Sequence, residues 1–146
     1  MVQNKTRTTY PNGDLYDGEI SPSSKKKHGK GVYLCHDGSG YSGDYVEGIR
    51  HGKGEYRSSN GMKYKGDFVD DKMTGSCEIT YKNGDVYIGE VVDGFYEGKG
   101  EFRYSNGDVY VGNFKDHAKH GSGSLKYACG DVYNGLFDNG NWNLKI

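Results

Sequence analysis

The chain has 146 residues, of which only 33% are hydrophobic, and a formal net charge of −1. This length suits one ordinary domain, and the charge argues against a dedicated nucleic-acid-binding protein, which normally carries a clear basic excess. The 3 cysteines, Cys35, Cys77 and Cys129, are scattered, so no disulfide framework is expected. Residues 1–10 lack the apolar core of a signal peptide, and no apolar run is long enough to span a bilayer. The sequence therefore predicts a cytoplasmic protein.

Glycine and tyrosine, with 25 and 14 residues, are unusually frequent and recur at a fixed period. Six glycines follow one another at intervals of 25, 23, 23, 23 and 23 residues, and a tyrosine stands three positions after each of them. Recurrence at a period of roughly 20 to 50 residues indicates a stacked repeat array. We predict one β-hairpin per repeat, centred on Gly13, Gly38, Gly61, Gly84, Gly107 and Gly130.

Three positions in each repeat define the predicted apolar face of the hairpins. They are the fifth residue before the turn glycine, the third after it and the seventh after it, and 17 of these 18 places hold large apolar or aromatic side chains. Alternate residues lie on one face of a β-strand. The third-position column is Tyr16, Tyr41, Tyr64, Tyr87, Tyr110 and Tyr133, and the seventh-position column is Ile20, Tyr45, Phe68, Val91, Phe114 and Phe137.

The predicted fold is all-β: an elongated single-sheet solenoid of stacked antiparallel β-hairpins, one for each repeat of about 23 residues. A single hairpin is only marginally stable in water, so neighbouring hairpins must bury one another's rings. No stretch shows a 3.6-residue period, so very little helix is expected. A second glycine column lets a neighbouring ring pack on the backbone. That column is Gly18, Gly43, Gly66, Gly89, Gly112 and Gly135.

Asn-Gly pairs mark four of the six predicted hairpin turns. They stand at positions 12–13, 60–61, 83–84 and 106–107. Asn-Gly tolerates the positive φ angles that a two-residue turn requires, so we predict two-residue turns there. Between successive hairpins, the sequence predicts loops of similar length. These loops end at Gly29, Gly52, Gly75, Gly98 and Gly121.

The repeat resembles the MORN (membrane occupation and recognition nexus) family. The family unit is Tyr-x-Gly-x-aromatic, then a loop ending near His-Gly, then Gly-x-Gly-x-aromatic. Residues 64–68, Tyr-Lys-Gly-Asp-Phe, match the first part, and residues 51–56, His-Gly-Lys-Gly-Glu-Tyr, match the other two. The resemblance runs from about Thr6 to Phe137. It implies a β-hairpin solenoid that serves as a scaffold or recognition surface in the cytoplasm, commonly at membranes, cytoskeletal structures or flagella.

The sequence departs from the family pattern at three places within the array, and the pattern lapses after Phe137. Cys77 replaces a glycine, Thr8 replaces the usual tyrosine, and Thr74 and Glu97 stand in a column that otherwise holds His28, His51 and His120. We predict a single array over residues 1–146, with 138–146 as a C-terminal cap or linker. Trp142 follows the last periodic residue and is expected to cap the open end of the array. Its alternatives are a partner anchor or the start of a linker.

The candidate catalytic and ligand-binding motifs all have simpler structural explanations. Gly-Lys-Gly triplets at 29–31, 52–54 and 98–100 are not followed by a helix that could bind phosphate. The histidine column lacks the spacing of a closed metal site. A periodic acidic column fits cross-strand ion pairs better than a catalytic pair. We therefore predict no enzymatic activity, metal, cofactor or small-molecule substrate. The acidic column is Glu19, Asp44, Asp67 and Glu90.

A basic loop near the N-terminus is one of two irregular features. It is two residues longer than its equivalents, and in the stack it should lie beside basic residues of the next loop. Each cation near an anionic membrane contributes about 1 kcal/mol of binding. The loop therefore either binds lipid head groups or is simply solvated. The predicted basic edge is Lys25, Lys26, Lys27, Lys30, Arg50 and Lys53.

The second irregular feature is an aromatic row in the last three repeats. Tyr81, Tyr104 and Tyr127 share the parity of the apolar face and could form a groove for a partner helix or extended segment. On the opposite face, a valine stripe reflects either strand propensity or a surface for self-association or a partner. The stripe is Val86, Val109, Val132, Ile88 and Val111.

The leading functional hypothesis is a non-enzymatic scaffold that binds a partner protein, or a second copy of itself, through the aromatic face. The first alternative is a peripheral membrane adaptor that binds anionic phospholipid head groups through the basic edge. The second alternative is a regulatory repeat module of a larger enzyme such as a lipid kinase. The expected location is the cytoplasm, with peripheral attachment to a membrane, the cytoskeleton or a flagellum as the further possibility.

Overall fold

The computed structural model describes residues 4–143, with side chains up to residue 141. The chain forms two compact units, Met1–Met73 and Thr74–Ile146, and strands adjacent in sequence pair antiparallel within each. The first unit contains β1 (Lys5–Thr9), β2 (Leu15–Ile20), β3 (Lys27–Leu34), β4 (Gly40–Val46), β5 (Ile49–Arg57) and β6 (Lys63–Val69). The second contains most of β7 (Lys72–Thr80), then β8 (Val86–Val92), β9 (Phe95–Arg103), β10 (Val109–Lys115), β11 (Ala118–Lys126), β12 (Val132–Asp138) and β13 (Asn141–Asn143).

Residues 4–143 contain no helix, so the prediction of an all-β fold built from successive antiparallel hairpins is confirmed. Within the described residues there is accordingly no helix long and apolar enough to cross a membrane. At the C-terminal end, β13 pairs with β12 and places Trp142 opposite Phe137 in the backbone register. The predicted capping role of Trp142 depends on its side chain, which lies outside the described part of the chain.

The prediction of two-residue turns at the Asn-Gly pairs is wrong. Between β1 and β2, Gly13 N–H donates to the Tyr10 carbonyl at 2.9 Å, and Tyr10 N–H donates to the Asp14 carbonyl at 2.8 Å. Gly13 has a φ of 93°, whereas Asn12 contributes its side-chain oxygen, which accepts from Asp14 N–H at 3.0 Å. Residues 10–13 therefore form a tight turn that ends at a glycine in the left-handed backbone conformation, inside a five-residue loop.

The two-residue turns lie instead in the connections between repeats. Pairs of residues with positive φ, such as Glu47 at 45° and Gly48 at 91°, occur at 47–48, 70–71, 93–94, 116–117 and 139–140. A two-residue turn with two successive positive φ angles matches the right-handed twist of the strands that it joins. After the first connection, residues 21–26, the connections between repeats are equal in length, but each is a two-residue turn. The glycines predicted to end the loops, such as Gly52, lie within the following strands instead.

A row of glycines crosses the strands of each unit. In the first unit Gly31 lies opposite Gly43, and Gly43 lies opposite Gly54. A Cβ atom added to Gly31 would lie 2.3 Å from the hydroxyl oxygen of Tyr16 and 2.5 Å from its Cε1 atom. Only glycine leaves room for the ring, so the row is a platform on which the third-position tyrosines lie, as the sequence predicts. In the second unit the row is Gly89, Gly100, Gly112, Gly123 and Gly135.

Third-position tyrosines pack against seventh-position side chains and are bonded to the backbone. The Tyr41 ring makes edge-to-face contacts with Tyr45 and Phe68, with both centroid distances 5.1 Å. Its hydroxyl donates to the Asp44 carbonyl at 2.7 Å. Burial raises the pKa of Tyr41 to about 12, so the hydroxyl stays a donor. The equivalent hydroxyl bond occurs at Tyr16, Tyr64, Tyr87, Tyr110 and Tyr133.

Candidate functional site on the inward aromatic face

The face that carries the third- and seventh-position columns, called the inward face below, also carries the predicted tyrosine row. Tyr81, Tyr104 and Tyr127 are half-buried at the start of successive turns in the second unit. Phe102 joins two of them, because its ring centroid lies 6.4 Å from that of Tyr81 and 4.6 Å from that of Tyr104. The structure thus brings Tyr81 and Tyr104 into one aromatic cluster that remains partly open to solvent.

Tyr96 organises this cluster, although the sequence did not single it out. Its ring stacks on Tyr87 at 3.9 Å and on His117 at 3.8 Å, and its hydroxyl forms a hydrogen bond with that of Tyr81. Burial raises the pKa of Tyr96, and the bond to Tyr81 adds to the shift. Burial also lowers the pKa of His117, which favours its neutral form beside the rings. Tyr81 is therefore held in place by a buried neighbour.

Tyr96 belongs to a column that stands eleven residues before the turn glycine, called the eleventh-position column below. Its chemistry varies from repeat to repeat, which explains why a search for repeated apolar residues missed it. Its place in the strand does indicate the face, because it lies an even number of residues from the apolar positions and therefore on the inward face. In the second unit the same column holds Lys119, whose ammonium lies 5.1 Å from the Tyr104 ring and 5.6 Å from the Tyr110 ring. The column is Lys27, Arg50, Met73, Tyr96 and Lys119.

The first unit has an open groove on its own inward face, which we call the Lys27 groove. It is defined by Lys27, Tyr33, Tyr45, Arg50 and Tyr56 and has a volume of about 300 Å³. The groove combines aromatic walls with two cations from the eleventh-position column. It is the first unit's counterpart of the aromatic cluster around Tyr104.

The outward face, opposite to the inward one, carries the predicted valine stripe. Val86 and Val109 are half-buried and Val132 is exposed. In the strand register Arg103 lies between Val86 and Val109, and Lys126 lies between Val109 and Val132. These three valines therefore alternate with cations, and Glu101 lies between Ile88 and Val111, so the stripe is not a continuous apolar surface.

The six residues of the predicted basic edge do not share one surface. Lys30 and Lys53 lie on the outward face, where they form ion pairs with Asp44 and Asp67. Lys27 and Arg50 point to the inward face, as described above. Lys25 and Lys26 are exposed in the connection between β2 and β3. The prediction of one edge is wrong, because the strand register places Lys30 and Lys53 beside the acidic column on the other face. These cross-strand ion pairs are the ones that the sequence predicted for the acidic column.

The histidine column stabilises the two-residue turns. The Nδ1 atom of His51 accepts a hydrogen bond from Asp70 N–H at 3.1 Å, and Thr74 and Glu97 accept the equivalent turn N–H through side-chain oxygens. Any side chain with an acceptor at this position can do this, which explains why three residue types occur there. No group of His, Cys, Asp and Glu in the described residues is arranged to hold a metal ion.

Asp14 and His36 form an ion pair at the turns of the first two repeats. The Asp14 carboxylate lies 3.0 Å from His36 Nδ1 and accepts from His36 N–H at 2.9 Å and from the Tyr33 hydroxyl at 2.7 Å. The side-chain bond to His36, with further bonds from Tyr33 and the backbone, holds the pKa of Asp14 well below its usual 3.8. The same contact raises the pKa of His36 above 6.5.

We expect the substitution Asp14→Asn to return the pKa of His36 toward 6.5, because the charged acceptor is lost. NMR titration of the imidazole protons measures this directly. The pair stabilises the folded chain between the two ordinary pKa values, 3.8 and 6.5. That contribution falls below this window as Asp14 protonates and above it as pH passes the raised pKa of His36.

The matched control for this titration is Asp85→Asn. Asp85 occupies the same repeat position and accepts from Ser105 N–H at 2.8 Å, in the second unit. This variant should leave the titration of His36 unchanged. An unchanged His36 pKa in the Asp14→Asn variant would contradict the assigned ion pair.

Comparison with known proteins is consistent with this repeat geometry. The family model of the MORN repeat matches residues 23–40, 41–63, 64–86, 87–109 and 110–132. The chain therefore belongs to the MORN-repeat family, which is a repeat module and not an enzyme family. The hairpin of β1 and β2, before the first match, has the same tyrosine–carbonyl bond, at Tyr16. No curated protein matches the chain.

One solved structure with a similar fold is the TCP domain of SAS-4 (dCPAP) from Drosophila melanogaster, in complex with a proline-rich motif of Ana2 (dSTIL). The sequence identity is 18% and the TM-score is 0.55, and the similarity covers 92% of this chain and 73% of that chain. At this level of identity the similarity shows the fold alone.

Proposed function

We propose that this chain is a non-enzymatic scaffold that binds a segment of a partner protein on the inward face of its second unit. The observation that carries the proposal is the aromatic cluster around Tyr104. Tyr81 and Tyr104 are half-exposed, yet both contact Phe102 within the sheet. Rings that are already fixed lose little conformational entropy when a partner covers them, so their burial contributes fully to affinity.

The surroundings of the cluster suit an extended or helical segment with apolar side chains. Aromatic walls supply apolar contact area, and Lys119 over the Tyr104 ring adds a cation at one side. The similar fold of the SAS-4 TCP domain supports the proposal, because that domain is described in complex with a proline-rich motif of another protein. Tyr127 extends the same row by one repeat and is the third proposed contact residue.

The alternative binding modes have weaker structural support. Self-association through Val86, Val109 and Val132 would have to bury Lys126 and the Arg103–Glu101 ion pair between the valines. Removing these charges from water is costly. Attachment to anionic lipid would rely on Lys25 and Lys26, because Lys30 and Lys53 already have carboxylate partners. A regulatory role within a larger enzyme would use the same aromatic face and is compatible with the scaffold proposal.

We expect Tyr104→Ala to weaken binding of a captured partner by roughly tenfold or more, because a central aromatic contact is lost. The partner is first identified by affinity capture from the native cell and then titrated as a purified protein by calorimetry. Tyr104→Phe keeps the ring and should retain most of the affinity. Thermal unfolding of each variant shows whether the fold is intact.

Val109→Thr provides a control on the outward face. If it abolishes binding while Tyr104→Ala leaves binding unchanged, the partner binds the valine side and the proposed site is wrong. Light scattering of the purified chain addresses self-association separately. A strict monomer would remove that alternative.

A further inference from the structure

The ammonium group of Lys27 lies among four tyrosine rings of the first unit. Its Nζ atom is 5.8 Å from the ring centroid of Tyr10, 5.6 Å from Tyr16, 5.3 Å from Tyr33 and 6.0 Å from Tyr45. Aromatic faces attract a cation, so this arrangement holds the ammonium over the groove. The side chain is half-buried, and part of its hydration is replaced by rings.

Lys27 has no carboxylate within ion-pair distance among residues 4–141, whose side chains the structure describes. The other cation of the groove is already neutralised, because Arg50 Nε lies 2.6 Å from Asp71 Oδ1 and Arg50 Nη2 donates to the Asp71 carbonyl at 2.8 Å. Asp71 also lines the groove but is committed to Arg50. The groove therefore carries an excess positive charge that is localised at Lys27.

We propose that the Lys27 groove binds an acidic side chain of an extended partner segment, with apolar residues on either side of that acid. A half-buried cation without a counter-ion favours a ligand that supplies one. The tyrosine walls favour apolar groups beside the carboxylate. This surface lies in the first unit, so it goes beyond the site around Tyr104 and fails or succeeds independently of it.

The dimensions and chemistry of the groove fit such a segment. A volume of about 300 Å³ accommodates a few side chains and not a folded domain. In an extended chain, residues two apart point the same way. A segment of the pattern apolar-x-acidic-x-apolar therefore presents one carboxylate to Lys27 and two apolar groups to the walls formed by Tyr33, Tyr45 and Tyr56.

The test uses a capped synthetic peptide, Ser-Leu-Ser-Glu-Ser-Leu-Ser, and a matched peptide in which Gln replaces Glu. Both are titrated into the full isotope-labelled chain up to about 5 mM, a range that detects weak binding. We expect backbone amide shifts at Tyr33, Gly48 and Arg50, with the Glu peptide binding roughly fivefold or more tightly than the Gln peptide. Added salt should reduce that difference.

Lys27→Met keeps the apolar stem and removes the charge, so it should abolish the preference for the Glu peptide. Lys27→Arg keeps the charge and should retain the preference. Lys30→Met is the control, because Lys30 lies on the outward face and pairs with Asp44. A charge-swapped pair, Lys27→Glu with a Lys-containing peptide, should restore binding. Thermal unfolding confirms that each variant is folded.

Several results would overturn the proposal. Equal binding of the Glu and Gln peptides, or no shifts with either peptide, would show that the groove does not select an acid. Retention of the preference in Lys27→Met would place the acid elsewhere. Shifts that appear only with phosphatidylserine vesicles, or only on raising the protein concentration, would assign the groove to a membrane or to a second copy of the chain.

Discussion

Replacing Tyr110 by alanine is expected to lower the free energy of unfolding by about 3–5 kcal/mol. Tyr110 is fully buried, and its ring makes edge-to-face contacts with Phe114 at 5.1 Å and Phe137 at 5.0 Å. The substitution removes this ring from between two neighbours that cannot close the gap, because the sheet fixes their spacing. Urea unfolding followed by circular dichroism measures the loss.

Two further variants divide this effect into its parts. Tyr110→Phe removes only the hydroxyl, which donates to the Asn113 carbonyl at 2.8 Å, and should cost about 1 kcal/mol. Tyr133→Ala changes the same column at a position that is only half-buried and should cost less than Tyr110→Ala. If Tyr110→Ala were as mild as Tyr110→Phe, the aromatic column would not be the main source of stability.

Gly123→Ala is expected to cost about 1–3 kcal/mol, although alanine is only one methyl group larger. A Cβ atom on Gly123 would lie 2.5 Å from the Tyr110 hydroxyl oxygen and 2.6 Å from its Cε2 atom. The ring must therefore move away from the backbone and away from its hydrogen bond. The change is measured by the same urea unfolding experiment.

Gly130→Ala is the matched control, because it tests backbone conformation without crowding. Gly130 has a φ of 103° and no neighbouring atom within 4 Å of an added Cβ, so only backbone strain of about 1 kcal/mol is expected. In the double variant with Tyr110→Ala, the cost of Gly123→Ala should largely disappear, because the ring is absent. Additive costs would show that Tyr110 is not what excludes a side chain at position 123.

The buried columns could be predicted because each repeat imposes the same local requirement on its own residues. Tyr87 and Phe114 stand at fixed distances from a turn glycine, and the structure buries both. The glycine row was predictable for the same reason. The eleventh-position column was not found because Lys27 and Tyr96 share a position and a face but no chemistry.

The turns and ion pairs depended on information that is not local. Asn-Gly is compatible with two turn types, and the choice between them follows from how many residues the paired strands leave between them. The partner of Lys30 is Asp44, 14 positions away in the sequence, and it is chosen by the register between β3 and β4. The four lysines of the basic loop therefore have different surroundings in the structure. Lys30 forms an ion pair, Lys27 lies among tyrosine rings, and Lys25 and Lys26 are exposed.

The sequence by itself determined the all-β repeat, its MORN character and the identity of its buried rings, because these depend on side-chain patterns repeated within about 23 residues. Only the tertiary structure decided which polar groups are neutralised and which remain available. Pairing across strands satisfies Lys30 and Arg50 but leaves Lys27 among rings with no carboxylate partner in residues 4–141. The physical reason is that electrostatic and ring contacts depend on distances between strands, which only the folded register sets.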